Sequence, residues 1–440
     1  MLDPPLPILD AEIRAAAQAV RRARGELRLE GAAEDPLGER RQVSSRYMFL
    51  ELADEKDPVA PSARAWVAWL TLERVLWRDT ARIGAAWHAR SLRADKLASG
   101  ELTPREVRAR VLADPDPERR RAWGTALARG VGSLADAVRI RAERRAEAAR
   151  LLDAAEVERI EQPFEPTDAV RAAAEAWLAT TDALVERRQS FTDALHAALG
   201  READDGWPAK LGVRWLADLF RATGLTDGLT LDVGPLPVVL GATSFARALG
   251  AFGAALADAD RPRVAPFVMT RAPVDLRRVR RAALFAGLAA EPSFARHALG
   301  LGGAAGREQA QRVGRALLLG SRLDAARVLL RGVLLEPTRE RESRAEAITE
   351  RALGAAIPGS LAGVLPLLRP GDGGRFAGLL LAAGDRQRLY QAFDEDWFRN
   401  PRAAGALREE HAAPPELHAT GAEIEAGLNE LGRALRELLR

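Results

Sequence analysis

The sequence predicts a mainly α-helical protein with at most a small β-sheet. Three observations carry this. In the stretch from Leu231 to Asp260, the larger apolar residues Phe245, Leu249, Phe252 and Leu256 stand at i, i+4, i+7 and i+11. That is the period of a helix with one buried stripe. Helix-start chemistry is explicit at Thr103-Pro104-Arg105-Glu106 and at Thr420-Gly421-Ala422-Glu423, each with Thr at the N-cap and Glu at N3. Strand candidates are few, confined to Thr230–Leu240 and Val264–Thr270. No fixed-period repeat appears, which disfavours a solenoid.

Taken in order, Asp10 to Leu29 is an Arg/Ala helix with Ile13, Ala17 and Val20 on one face. Ser62 to Asp79 holds Trp66, Trp69, Leu70, Leu72, Val75, Leu76 and Trp77, too apolar a set for a surface helix. Its indoles read as core rather than as the wall of a ligand groove. Asp116-Pro117-Glu118 opens a helix expected to run through Trp123 to Leu152. Gln162 to Thr167 reads as a linker, with Thr167 capping a helix that carries Val170, Ala174, Trp177 and Leu178. Trp215 to Ala222 precedes the central helix, whose Gly241, Gly250 and Gly253 imply close packing to offset their low helix propensity. Helices follow at Leu276–Ala290, Gln309–Leu335, Arg339–Gly354, Phe376–Phe393 and Pro401–Glu410, with a Pro/Gly-punctuated loop at Gly359–Gly374. The last helix has the stripe Ile424, Leu428, Leu431, Leu435 and Leu438, a seam for docking on the body or, as the lesser alternative, on a partner. Residues 1–160 are expected to form an N-terminal helical region and 161–440 the helical body, together one unit.

Composition narrows function. With 47% hydrophobic residues the chain is globular. The net charge of +3 comes from 65 basic and 62 acidic residues, and Lys56, Lys96 and Lys210 are the only lysines. Arg and Glu interleave, as at Arg139–Arg150, like solvated helix faces. A nucleic-acid partner is not expected, because such a reader concentrates its positive charge. There are no cysteines, hence no disulfides or thiolate chemistry. MLDPPLPILD is too short and proline-broken for a signal h-region, and no run of about 18 apolar residues occurs. A cytoplasmic protein without a membrane partner is expected.

Five histidines, His88, His196, His297, His411 and His418, share no HExxH and no i, i+4 pair. His411 and His418 stand near Glu409, Glu410 and Glu416 but across Pro414 and Pro415, a spacing that fits no common zinc pattern and reads as solvated surface. P-loop, GxSxG and Rossmann motifs are absent. Gly300-Leu301-Gly302-Gly303 lacks the preceding strand of a phosphate cradle and reads as a loop. The residues by themselves nominate no catalytic site, metal site or cofactor.

Near the C-terminus, Gly378-Leu379-Leu380-Leu381-Ala382-Ala383 leads into Phe393-Asp394-Glu395-Asp396-Trp397-Phe398-Arg399-Asn400-Pro401-Arg402-Ala403-Ala404-Gly405. This resembles the C-terminal region of α-helical zinc metallopeptidases of the oligoendopeptidase, thimet-oligopeptidase and carboxypeptidase Taq type. Weaker likenesses are Asp116–Trp123, similar to their N-terminal lobe, and Glu291–Arg296, similar to the end of the helix that follows their third zinc ligand. The resemblance implies a two-lobed helical body around a groove. It also implies an HExxH helix after a short strand, a third glutamate ligand on the next helix and a carbonyl-polarising tyrosine.

Each of these parts is missing here. The histidine positions fall at Gly241 and Phe245, the glutamate at Ala242 and the tyrosine at Leu379, and no histidine lies between His196 and His297. Leu276–Ala290 contains no carboxylate and carries Arg277, Arg278, Arg280 and Arg281 instead. The expectation is a catalytically inactive, metal-free, cofactor-free relative that acts by binding a peptide or protein, an active peptidase relative among the possible partners. Ser244, Arg277, Arg278 and Arg281 are the expected groove residues, the arginines holding carboxylates of a bound chain. Two alternatives stand beside it: an enzyme with non-metal chemistry in the same groove, and a helical scaffold whose groove has filled.

Overall fold

Local capping chemistry sets where the helices begin. Thr103 Oγ1 accepts from the Glu106 amide at 3.3 Å while the Glu106 carboxylate accepts from the Thr103 amide at 2.8 Å. Thr420 and Glu423 repeat the pattern, and Thr167 Oγ1 accepts from the Val170 amide at 3.2 Å. The computed structural model describes residues 4–93, 101–132, 134–153, 157, 167–200, 205–208, 212–234, 236, 241–259, 265–273, 275–335, 340–364, 372–412, 415 and 419–440. It is 76% helical, so the protein is mainly α.

The N-terminal part consists of α1 (Leu6–Glu30), α2 (Arg46–Glu51), α3 (Ala60–His88), α4 (Pro104–Ala113), α5 (Pro117–Gly132) and α6 (Ala135–Leu152). Then come α7 (Asp168–Thr181), α8 (Phe191–Leu199), α9 (Val213–Arg221), α10 (Ala242–Ala259), α11 (Phe267–Thr270), α12 (Leu276–Leu288) and α13 (Pro292–Ala298). The rest is α14 (Gly303–Leu335), α15 (Arg341–Leu353), α16 (Gly359–Val364), α17 (Asp372–Phe393), α18 (Pro401–Ala412) and α19 (Gly421–Leu439). One antiparallel pair of short strands, β1 (Leu92–Arg93) and β2 (Glu101–Leu102), sets Leu92 opposite Leu102.

Three apolar clusters hold this together. The first joins Leu9, Ile13 and Val20 of α1 to Phe49, Trp66 and Leu70, with Leu152, Val157 and Val268 behind them. The indole stripe of α3 is core, as its apolarity predicts, although Val75 is exposed. The second cluster links side chains between Ile83 and Val138 with those from Val170 to Leu435, around Trp177 and Phe376. The third surrounds α10: Phe245, Leu249, Phe252 and Leu256 all lie at 0% exposure against Phe220, Phe285 and Phe294. The predicted stripe is therefore the buried one.

From α10 the helices pack in a row, α10 on α12, α12 on α17 and α17 on α19. Glycine permits two of these approaches. A Cβ on Gly253 would sit 2.6 Å from the Arg281 carbonyl oxygen and 2.8 Å from Phe285 Cβ, and one on Gly427 would run into the Leu380 carbonyl. Close packing at Gly253 is what the sequence implies.

Several boundaries differ from the sequence reading. The expected sheet does not form among the described residues: Phe267–Thr270 is a helical turn, because the Asp10 carboxylate accepts the Phe267 and Val268 amides at 3.0 and 2.9 Å. The helix expected from Asp116 to Leu152 is interrupted between α5 and α6, next to Gly130 and Gly132, where low helix propensity lets the chain turn. The Gly359–Gly374 loop begins with a helix, α16, whose first amide is held by Glu346 at 2.8 Å. The helix start expected at Gln309 lies at Gly303, well over a turn earlier. Val239, Leu240, Val264, the 162–166 linker and His418 lie outside the described residues.

The C-terminal motif is a turn and cap. Asp394 ends α17 in the left-handed region, φ 67°, and Trp397–Arg399 forms a 3₁₀ turn that buries Trp397 and Phe398. Asn400 Oδ1 then accepts from the Arg402 amide at 2.9 Å to start α18. No described helix is long and apolar enough to cross a membrane.

Candidate functional site

At the N-terminus of α10, Ser244 accepts from the Gly241 amide at 2.8 Å and donates to the Gly241 carbonyl at 3.1 Å. Both residues are buried and Ala242 is half-buried. Phe245 lies fully inside, with ring centroids 4.8 Å from Trp207, 6.2 Å from Trp215 and 6.5 Å from Phe294. Aromatic rings therefore pack around Phe245. Among the described residues, no group of three or more His, Asp or Glu side chains is placed to hold a metal ion.

Three of the arginines of α12, Arg278, Arg280 and Arg281, are engaged with neighbouring helices. Asp275 Oδ1 caps the helix at the Arg277 amide, 3.0 Å away, and Arg277 is half-buried. Exposed Arg278 donates to Asp258 of α10 at 2.9 Å. Arg280 forks onto Asp385 of α17, with both contacts at 2.5 Å. Arg281, 1% exposed, donates to Asp385 at 3.1 Å, to His411 Nε2 at 3.0 Å and to Glu410. Arg388 completes the cluster with 3.1 Å to Asp385 and 2.7 Å to Glu410. Burial pushes the Arg281 guanidinium down to about 10, against the pull of Asp385. Burial works the other way on Asp385, yet the hydrogen bond from Arg280 and the charges of Arg281 and Arg280 hold its carboxyl below the usual range.

His411, whose neighbours in the sequence predict solvated surface, is instead fully buried. Its Nε2 accepts from Arg281, which fixes the neutral tautomer with the proton on Nδ1. Together these groups hold α10, α12, α17 and α18 to one another.

An open feature lies on the other side of α17. A cleft of about 580 Å³ runs between α12, α13, α14, α17 and α19. Its floor is aliphatic and small: Leu284 and Leu288 of α12, Ala382 and Ala383 of α17, Leu431 and Leu435 of α19 are all buried. Leu379 lines it, whereas Gly241, Ala242, Ser244, Phe245, Arg277, Arg278 and Arg281 do not. So the expected groove residues are not part of this cleft.

Polar groups of the cleft converge on Glu291, which is 7% exposed. Arg386 donates to both of its oxygens, at 3.1 Å for the Oε2 contact, and Tyr390 donates to Oε2 at 2.6 Å. Arg386 also reaches Glu430 at 3.2 Å and lies 4.4 Å from the Tyr390 ring centroid. Burial and the Glu291 charge hold the Tyr390 phenol above its ordinary range. Burial works against the charge on Arg386, but the hydrogen bond and charge of Glu291 outweigh it and make the guanidinium harder to deprotonate. Both Glu291 oxygens are therefore occupied by donors. With Glu430 of α19, the trio ties the start of α13 to α17 and α19 across the cleft.

Sequence reasoning misses this trio. The visible signal is Arg386 and Tyr390 at i, i+4 on one helix face; Glu291, 95 residues before Arg386, gives none. The chain matches no family model, and no curated protein sequence matches it. The likeness to helical metallopeptidases rests on the C-terminal motif and the two weaker segments at Asp116–Trp123 and Glu291–Arg296.

Proposed function

We propose that the chain is a metal-free binding protein on a degenerate metallopeptidase-like scaffold, and that it takes a peptide segment of its partner in the cleft beside α17. The observation that supports this best is the cleft itself: open, aliphatic at its floor, and lined by Leu379, the position where the resemblance places the carbonyl-polarising tyrosine. Its volume falls in the range of about 300–1,000 Å³ usual for ligand pockets. The partner can be a free peptide or a protein, an active peptidase relative included.

The chemistry of the cleft favours binding over turnover. Glu291, Arg386 and Tyr390 satisfy one another, so a ligand gains mainly from burying apolar surface. One aliphatic side chain buried there contributes roughly 1.5–3 kcal/mol, offset in part by the entropy of ordering a peptide. Dissociation constants of about micromolar or weaker follow for a single segment.

Equilibrium binding of a panel of fluorescent apolar decapeptides, measured in excess chelator, tests the reading. Saturable binding is expected, with the peptide recovered uncut and less than stoichiometric zinc in the dialysed protein. Cleavage that stops on adding chelator, or no saturable binding by any peptide, would overturn it.

A further inference from the structure

The rim of the cleft differs from its floor, and the difference bears on which peptides fit. Arg296, Arg307, Glu395 and Glu437 stand exposed at the rim. Glu437 is held by Arg433 at 2.9 and 2.8 Å. Arg296 faces Glu395 at 3.1 Å, but these side chains are 54% and 63% exposed. Such a pair is worth little in water, and an incoming carboxylate can take the place of Glu395. Deeper in, Arg386 is matched by Glu291 and Glu430. Arg307 has no acidic partner among the described residues.

At the cleft Glu291, Glu395, Glu430 and Glu437 thus stand against Arg296, Arg307, Arg386 and, behind Glu437, Arg433, so the charges balance in number. Arg307 is the guanidinium left out of these pairs, and Arg296 is held only by an exposed one. Both border a wall of leucine and alanine. Guanidinium binds carboxylate through two parallel N–H donors, a stronger contact than a point charge makes. Building on the peptide-binding reading, we infer that the cleft selects peptide segments in which a large aliphatic side chain adjoins an aspartate or glutamate. The aliphatic group lies on Leu284, Leu288, Leu431 and Leu435, and the carboxylate is received by Arg307 and Arg296.

The test uses labelled nonapeptides, acetylated and amidated at their ends so that one side chain carries the sole carboxylate, with Leu-Glu, Leu-Gln or Ala-Glu at the centre. Fluorescence anisotropy on the full chain is expected to give the Leu-Glu peptide about tenfold tighter binding than Leu-Gln. That advantage should shrink as salt rises, because rim charges are screened. The Leu-Glu to Leu-Gln affinity ratio should fall to about one in the Arg296→Gln, Arg307→Gln double variant. Equal binding of the two leucine peptides by the unmodified chain, or an undiminished ratio in the double variant, overturns the selection for acid and leaves the cleft reading standing. Tighter binding of Ala-Glu than of Leu-Gln overturns the aliphatic half. Failure of all three peptides to bind overturns both readings.

Discussion

Asp385 is 1% exposed between buried Arg281, half-buried Arg280 and exposed Arg388, so replacing its charge leaves the buried Arg281 guanidinium facing an amide. Breaking a buried pair from one side costs about 3–5 kcal/mol. Asp385→Asn should lower the unfolding free energy from urea titration at pH 7 by an amount of that order, read as a lower midpoint at unchanged m. The same residue gives a pH dependence whose sign is fixed. Its folded carboxyl titrates below the ordinary value of about 3.9. The stabilisation is therefore complete above about pH 4 and is lost as the pH falls below it, where the unfolded chain takes up a proton that the folded chain resists. Urea unfolding between pH 3 and 6 should show the unmodified protein losing more stability below pH 4 than Asp385→Asn does. Equal acid sensitivity of the two would contradict this. Neither Arg281 nor His411 reveals this cluster in the sequence. They are 130 residues apart, and a run of arginines without carboxylates looks like a solvated face until Asp258 and Asp385 arrive from α10 and α17.

At the scale of elements, the caps are the most legible part. Thr103, Thr167 and Thr420 start helices where their local sequence says they must, since the cap is made by residues three apart. The Phe245–Leu256 stripe is legible for the same local reason. Which helices touch is less so, because glycine looks the same in sequence whether it faces a neighbour or open space. Gly427 and Gly287 show the contrast. A methyl on Gly427 collides with the Leu380 backbone, whereas nothing lies within 4 Å of one on Gly287. Gly427→Ala should destabilise by about 1–3 kcal/mol as α19 is pushed off α17. Gly287→Ala should be neutral or stabilise by up to about 1 kcal/mol through helix propensity alone. Thermal unfolding of the two variants checks this pair, and equal shifts would show that α17 and α19 are not seated as described. The C-terminal motif is explained at this scale too: Asp394, Trp397, Asn400 and Pro401 encode a helix end, a buried turn and a new cap.

For the whole molecule, the row α10, α12, α17 and α19 separates two kinds of polar chemistry. On one side of α17, Asp385 is sealed in a buried ion cluster; on the other, Arg386 and Tyr390 face an open cleft. The resemblance places a groove at Ser244, Arg277, Arg278 and Arg281, with its metal-motif positions at Gly241, Ala242 and Phe245. The structure fills the surroundings of Phe245 with rings and opens a cleft along the opposite face of α17, where of the expected positions only Leu379 appears. This cleft depends on contacts between α12 and α19, separated by most of the chain's second half, which no local pattern encodes. If a peptide binds in this cleft without metal, filling the cleft must weaken binding. Gly287 lines the cleft with open space before it, so Gly287→Phe fills the cleft without disturbing the helix row. Binding of the tightest apolar peptide in chelator should fall by about tenfold or more in this variant while its thermal unfolding is unchanged; unaltered binding by a folded Gly287→Phe protein would contradict peptide binding at this site.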